Sequence, residues 1–381
     1  MSPDTKKYSF TFYRPLYKIS QFFSVLPNSS KCYSYLVLLF FLSVIIWSLI
    51  LKVFFGPRIL NSIRILDLWI NLLASFCTLL SIINQNFIKI DKIRDLFVIL
   101  TRIDLELQHT YKCERKLSSK GRLTFFIGQI VILVLIFMEV SISLFIMDFN
   151  FFVHYVPVYI NLYVVVVVIL QYNFLVAVIG IRCKILNDKL SELVANLLVY
   201  KKSMTLRYIL VQNINPKFFT RNYIRIYEAT TLVNNIFGLQ ILFIFALIEL
   251  FVVKALNIVV LSLLHYVQNS MFKMPILISN LWGSFIFLSF GVLISSTCTK
   301  TVRRMKQASF LGWELLLCLP LDFTYGKKSL EKDLIDFETI VTNRLTVFSA
   351  AGLFDVDFNV VFTTLSSVSS ILILVMQIFP S

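Results

Sequence analysis

Long apolar runs alternate with charged stretches along this chain. Seven of the runs exceed the ~18 residues that mark a bilayer-spanning helix. They are about Tyr33–Phe55, Leu66–Ile88, Leu123–Met147, Val158–Gly180, Asn235–Leu263, Ile276–Cys298 and Asp357–Phe379. The second is the most polar of the middle ones, with Asn71, Ser75, Thr78, Ser81, Asn84 and Gln85. The fifth is longer than a bilayer needs, so it is expected to tilt or to project beyond the membrane. Between the runs, three connections carry apolar stripes at helical spacing. Ile93, Leu96, Phe97, Leu100, Ile103 and Leu107 form the first; Leu186, Leu190, Leu193, Val194 and Leu197 the second; Leu330, Leu334, Phe337, Val341, Leu345 and Phe348 the third. Asn215-Pro216 and Pro320 interrupt two of these connections. The pattern predicts a helical bundle outside the membrane. Whether it packs within one chain or between subunits stays open. The third stripe runs straight into the last span, which favours packing between subunits.

The last run has a polar side. At ~100° per residue, Asn359, Thr363, Ser366, Ser367, Ser370, Leu374 and Gln377 share roughly a third of the helix circumference. Val361, Leu365, Val368, Leu372, Val375 and Phe379 lie opposite. Unsatisfied polar groups in hydrocarbon are costly, so this stripe must face other helices or water. Small hydroxyl residues suit close helix packing. An acidic and amide mouth at Asp355 and Asn359, a hydroxyl path, and an apolar-plus-amide constriction at Leu374, Gln377 and Ile378 suit a cation pore. One helix cannot enclose a pore, so the second reading demands an oligomer with this helix repeated around an axis.

Composition and charge sharpen the picture. The 381 residues are 58% hydrophobic and 15% charged, with 37 Phe and only 10 Gly: a polytopic all-α membrane protein. A net charge of +15 would suggest nucleic acid in a soluble chain. Here Lys and Arg gather between spans, where they meet anionic headgroups, and no nucleic-acid partner is implied. Basic residues crowd the segment before the first span (Lys6, Lys7, Arg14, Lys18, Lys31) and the second, fourth and sixth connections. The other side holds only Arg58, Arg64 and Lys273, with Lys52 at an edge. The positive-inside rule then predicts a cytosolic amino terminus and an extracellular carboxyl terminus, opposite to a G-protein-coupled receptor. Cys32, Cys77, Cys113, Cys183, Cys298 and Cys318 all fall in the cytosol or within spans, and the sequon at Asn28 falls in the cytosol. The first run is too long for a signal-peptide core and is expected to stay as an uncleaved anchor. The expected organisation is a cytosolic segment 1–32, six helices with helical loops over 33–298, anchor helices over 299–356, and the last helix over 357–381.

Catalytic signatures do not emerge. His109, His154 and His265 are far apart, and the sequence holds no HExxH, CxxC pair or phosphate-binding glycine loop. No enzyme activity, metal or other cofactor is implied. Three charges lie deep within spans: Glu139, Glu249 and Lys254. Such residues are either structural bridges or the lining of a ligand-facing or water-filled cavity. Glu139 and Lys254 lie at comparable depth in the outer half and are candidates to pair. Trp69, Asn71, Tyr159, Tyr163, Asn280 and Trp282 occupy the same half, as pocket residues or as an interfacial aromatic belt.

With its seven spans, inside amino terminus and length, the chain resembles the insect gustatory receptors. Their last span carries Thr-Tyr, five apolar residues and Gln-Phe, after a Gly-Leu-Phe-like lead-in. Here Gly352-Leu353-Phe354 supplies the lead-in, Ser370-Ile371 replaces Thr-Tyr, and Gln377-Ile378 replaces Gln-Phe. The resemblance implies a tetrameric ligand-gated cation channel, homomeric or heteromeric, related to the odorant receptors and placed in the plasma membrane among its lipids. It implies a small-molecule tastant in an outward-facing cavity among the second to sixth spans. It implies a central pore lined by the last span, and cytosolic helices as the anchor between subunits. Gln377 and Ile378 match the gate positions, with Leu374 one turn below. No pocket residue carries over by motif, so Trp69, Asn71, Glu139, Tyr159, Tyr163, Glu249, Lys254 and Trp282 remain candidates from the sequence alone. The alternative is a secondary transporter working through Glu139, Glu249 and Lys254, although no inverted repeat supports it.

Overall fold

The structure is a computed structural model that describes residues 31–54, 61–111, 134, 137–138, 141, 149–199, 215–263, 270–318, 327–344 and 347–378. In chain order the elements are α1 (Lys31–Phe54), α2 (Asn61–Ile83) continued by a π turn (Asn84–Ile88), α3 (Ile90–Tyr111), α4 (Phe149–Val199), α5 (Pro216–Leu263), α6 (Ser270–Leu317), α7 (Lys327–Asn343), a hairpin of β1 (Ser349–Ala350) and β2 (Phe354–Asp355), and α8 (Phe358–Ile378). The expected third span, with Glu139, lies outside the described residues except at positions 134, 137, 138 and 141. Among the described residues, five helices are long and apolar enough to cross a membrane, and α8 is a further apolar helix.

The fourth, fifth and sixth spans do not end where their apolar runs end. α4, α5 and α6 hold 51, 48 and 48 residues. At ~1.5 Å per residue each is about 70–75 Å long, more than twice the ~30 Å hydrocarbon core. The boundary expected at 298/299 therefore falls inside α6. The physical reason is local: past Gly180 the sequence IRCKILNDKLSELVANLLV has no Pro or Gly and keeps its 3-4 apolar spacing, so the backbone ladder has no cause to stop. The Asn215-Pro216 interruption is where α5 begins. The Asn215 side chain accepts from the Phe218 N–H at 3.2 Å, and Pro216 sits at the first helical position, where no N–H is needed.

α4 is the central helix. Its run Val164 to Leu170 is buried on every side, as expected of a helix apolar all round. α1 is peripheral and turns Leu36, Leu39, Phe40, Ile46 and Trp47 outward. The polar face of α2 is spent on neighbouring helices. Ser48 of α1 donates to Asn71 at 3.1 Å, the Asn161 amide of α4 donates to Ser75 at 3.1 Å, and Thr78 donates to the Asn161 carbonyl at 3.3 Å.

At the basic end, α3, α7 and the extensions of α4, α5 and α6 form the expected bundle, and its apolar stripes meet one another within the chain. Ile93, Leu96, Leu100, Ile103 and Leu107 are buried, as are Leu186, Leu190, Val194 and Leu197, and Leu334, Phe337 and Val341. Their partners are one another and the start of α5: Phe337 meets Tyr223 and Phe219 with ring centroids 5.6 and 6.4 Å apart. Ion pairs fasten the outside. Arg182 of α4, itself buried, reaches Asp104 of α3. Glu106 of α3 receives Arg225 at 2.7 Å, Arg221 at 3.7 Å and the Asn222 amide at 3.2 Å.

A second pair, within the apolar part, was not legible in advance. Lys254 of α5 lies 2.7 Å from Asp67 of α2, each side chain about 15% exposed. Lys254 thus pairs with Asp67, where Glu139 had been the expected candidate. The helices run antiparallel, which brings the later turns of α5 beside the start of α2.

Two outcomes test these contacts. Removing one partner of a buried pair strands the other, which costs about 3–5 kcal/mol, whereas removing both is far milder. Lys254→Met is therefore expected to lower the thermal midpoint in detergent sharply, and adding Asp67→Asn is expected to restore most of it. Equal loss in the single and double variants would refute the pairing. Burial pushes the Glu106 carboxyl up, but contact with Arg225, then Asn222 and Arg221, outweighs this and holds it below the usual glutamate value. A depressed folded-state value means that the stability it contributes is present above the unfolded-state value and lost as pH falls through the folded one. The midpoint difference between the parent and Glu106→Gln should be largest near neutrality and shrink on acidification; a difference that grows at low pH would contradict the assignment.

Candidate functional site: the last helix and its seat

The chain enters α8 through a joint rather than a plain loop. After α7, Phe348 is buried against Tyr172 of α4 with ring centroids 6.4 Å apart. The two-stranded hairpin then folds back, pairing Ser349 with Asp355 and Ala350 with Phe354. Its turn needs left-handed backbone at Ala351 (φ 53°) and Gly352 (φ 76°), so the glycine of the Gly352-Leu353-Phe354 lead-in is a turn residue. Asn234 of α5 clamps the first strand. Its amide donates to the Val347 carbonyl at 2.8 Å, and its oxygen accepts from the Ser349 N–H at 3.3 Å. One turn on, Gly238 lets the hairpin touch the helix, since a Cβ there would lie 2.9 Å from the Ala351 nitrogen.

Asp357 starts α8 as its N-cap, accepting from the N–H groups of Asn359 at 2.9 Å and Val360 at 3.3 Å. Asn359 also donates its amide to Asp357 at 3.0 Å. Asp355 lies just before, exposed in β2. From there α8 lies against α5 and α6 along one side only. Val360, Val361 and Val368 are buried, and Val368 packs with Leu66 of α2 and Val253 of α5, flanked by Ile371, Leu250 and Val252.

The expected polar stripe stands on the free side. Asn359, Thr363, Ser366, Ser370, Leu374 and Gln377 are all exposed. Phe362, Leu365 and Ile373 are exposed too, so the free side is broader than the stripe and partly apolar. Thr363 donates to the carbonyls of Asn359 and Val360 at 3.0 and 2.9 Å, and Ser366 to that of Phe362 at 3.0 Å. These hydroxyls are satisfied by their own helix and offer oxygen lone pairs outward. Ser367 departs from the stripe: it turns inward and donates to the Glu249 carboxylate of α5. The side chain of Ile378 lies outside the described residues.

Several candidate pocket residues are engaged with neighbouring helices. Glu249 is held by Ser367, and Lys254 by Asp67. Asn71 is fully buried under Ser48 of α1. Trp69 is 57% exposed, as the aromatic-belt reading expects. Trp282 of α6 is half-buried and stacks on Phe285. Tyr159 and Tyr163 are half-buried on α4. Glu139 lies outside the described residues. Sequence reasoning missed Asp67, Asn234 and Gly238. Asp67, an acid in a helix otherwise apolar at that depth, was the one with a readable signal.

Comparison with known proteins accords with this architecture. No curated protein sequence matches the chain. Among the solved structures that share its fold are the insect olfactory receptor OR5 from Machilis hrabei, at a TM-score of 0.62 and 13% identity, and the same receptor in complex with eugenol, at 0.60 and 12%. Each is matched over 97% of this chain and 99% of the other. The fold is thus the all-α, seven-transmembrane fold of the insect olfactory receptors. The profile of the 7tm chemosensory receptors matches residues 13–378, and the chain belongs to that family.

Proposed function

We propose that this chemosensory receptor is a gustatory receptor acting as a ligand-gated, non-selective cation channel in the plasma membrane. Its amino terminus is cytosolic and its carboxyl terminus extracellular. Four copies, identical or related, surround a pore lined by α8. The observation that carries the reading is the side of α8 that its own chain leaves uncovered. It bears Asn359, Thr363, Ser366, Ser370 and Gln377, whose outward lone pairs and amides suit hydrated cations. Asp355 lies at the cytosolic mouth, and Leu374, Gln377 and Ile378 form the outer constriction. The eugenol-bound relative supports a small organic molecule as ligand, here a tastant.

The conformation described is read as resting. α8 is held at its seat by Val368 and by the Ser367–Glu249 hydrogen bond, and at its base by the hairpin. A ligand opens the pore only as far as it binds the open state more tightly. The transporter alternative needs Glu139, Glu249 and Lys254 free to exchange partners. Two of the three are engaged in static contacts, which disfavours it.

Recording in a heterologous membrane against a tastant panel tests the proposal. Gln377→Ala and Leu374→Ala are expected to change selectivity or leak, and unaltered evoked currents in both would make the stripe a packing face. A tag at Ser381 should stain on intact cells, and staining only after permeabilisation would reverse the orientation. Ser367→Ala removes a hydrogen bond to a charged group, worth roughly 1.5–3 kcal/mol, and should raise the unliganded open fraction at least about tenfold. An unchanged unliganded current would mean that this contact does not hold the gate.

A further inference from the structure

Three buried glutamines have no role in the reading so far. Gln85 of the π turn, Gln171 of α4 and Gln240 of α5 are 0%, 1% and 0% exposed. In each, both the amide oxygen and the amide nitrogen lack a hydrogen-bond partner. Native folds rarely leave even one such group bare, because the desolvation cost is not recovered.

The helix registers place the three at one level. α2 and α4 run in the same direction, and Asn161 meets Ser75 and Thr78. Gln171 lies about 15 Å beyond Asn161 along α4, and Gln85 about 10–15 Å beyond Thr78 and Ser75 along α2. α5 runs the other way, and the Lys89 ammonium reaches the Asn235 carbonyl at 2.6 Å. Gln85 and Gln240 each sit about one turn further along from that contact. Finally Tyr172, the neighbour of Gln171, meets Phe237, one turn before Gln240, with ring centroids 5.9 Å apart. All three residues thus fall within about a turn of one another along the helix axes, on three helices packed together.

We propose that these glutamines form an internal hydration site, binding a small cluster of ordered water between α2, α4 and α5. Water fits because each amide presents one acceptor and one donor group, and a buried water needs two to four such partners. A neutral occupant fits because the nearest charge on these three helices among the described residues, Lys89, is spent on the carbonyls of Asn235 and Ile236. Their neighbours within a turn along the same helices, Ile82, Val168, Ile169, Phe237 and Ile241, are all buried and apolar. The π turn widens the helix at Asn84–Ile88, closed by the Lys89 N–H on the Asn84 carbonyl, and so sets Asn84 and Gln85 inward. The site backs directly onto the hairpin joint, since Gly238 touches Ala351 and Tyr172 touches Phe348. Water there keeps the three helices polar-bonded to one another where the membrane bundle meets the extended one.

Water-edited solid-state NMR of the full chain in lipid bilayers, with glutamine side chains labelled with nitrogen-15, reads this directly. The amide signals of Gln85, Gln171 and Gln240, assigned by their loss in Gln→Leu or Gln→Met variants, should gain magnetisation from water as quickly as exposed glutamines do. Signals that stay dark to water would overturn the proposal. Stability gives an independent arm. In a hydrated site Gln240→Leu deprives the water of a partner and lowers the thermal midpoint, and the triple leucine variant recovers part of the loss. In a dry site each single leucine removes a bare amide and raises the midpoint, which would equally overturn it.

Discussion

The unbroken backbone ladder of α4, α5 and α6 is the constraint on which the other elements depend. Each helix passes from an apolar stretch into a charged one without a break, so two environments share one set of rigid axes. The basic end does not need to fold as a separate domain. Its position is set by helices already fixed in the apolar part, and α3 and α7 need only lay their stripes against them. A displacement at one end of a long helix is carried along its backbone ladder, except where an interior proline such as Pro157 of α4 interrupts it.

The hairpin and α8 use those axes differently. α8 is covered on one side only, and its buried contacts are few: three valines, a serine and their neighbours. Its base is held by two side-chain hydrogen bonds from Asn234 and by a glycine contact in which a single methyl group would collide. The result is a helix fastened tightly where it leaves the bundle and lightly along its length. That asymmetry suits an element that must pivot. A helix packed all round would resist, and one without a fixed base would move without direction.

Much of this was legible because helical periodicity survives from sequence to structure. The stripes from Ile93 to Leu107 and from Leu186 to Leu197 are buried as their spacing requires, and the polar stripe of α8 lies opposite Val361 and Val368. What periodicity cannot read is pairing. Lys254 and Asp67 are 187 positions apart, and only the antiparallel register of α2 and α5 brings them together. The same holds for Ser367: its place at the stripe's edge was evident, but its turn toward Glu249 depends on where α5 stands. A stripe likewise shows that a face is buried and not which neighbour buries it, so the mutual contacts of these stripes could not be read in advance. Hydropathy locates the spans but not the helix ends, since it measures the medium around a helix and not whether its hydrogen bonds continue.

Polar groups in the apolar part follow a consistent order. Asn71, Ser75, Thr78 and Asn161 are bonded across helices and tie α1, α2 and α4 together. Lys254 and Asp67 close the gap between α2 and α5, and Ser367 and Glu249 meet where α8 rests. Further in, at the glutamines, direct pairing stops. Three long amides at one level cannot all face one another without drawing the helices closer than the branched side chains around them permit. Separation and polarity together then require a mobile bridging molecule, and a bridge that can rearrange lets neighbouring helices shift without stranding an amide. The direct contacts thus lie toward the start of α2, and the glutamines beside the joint that leads into α8.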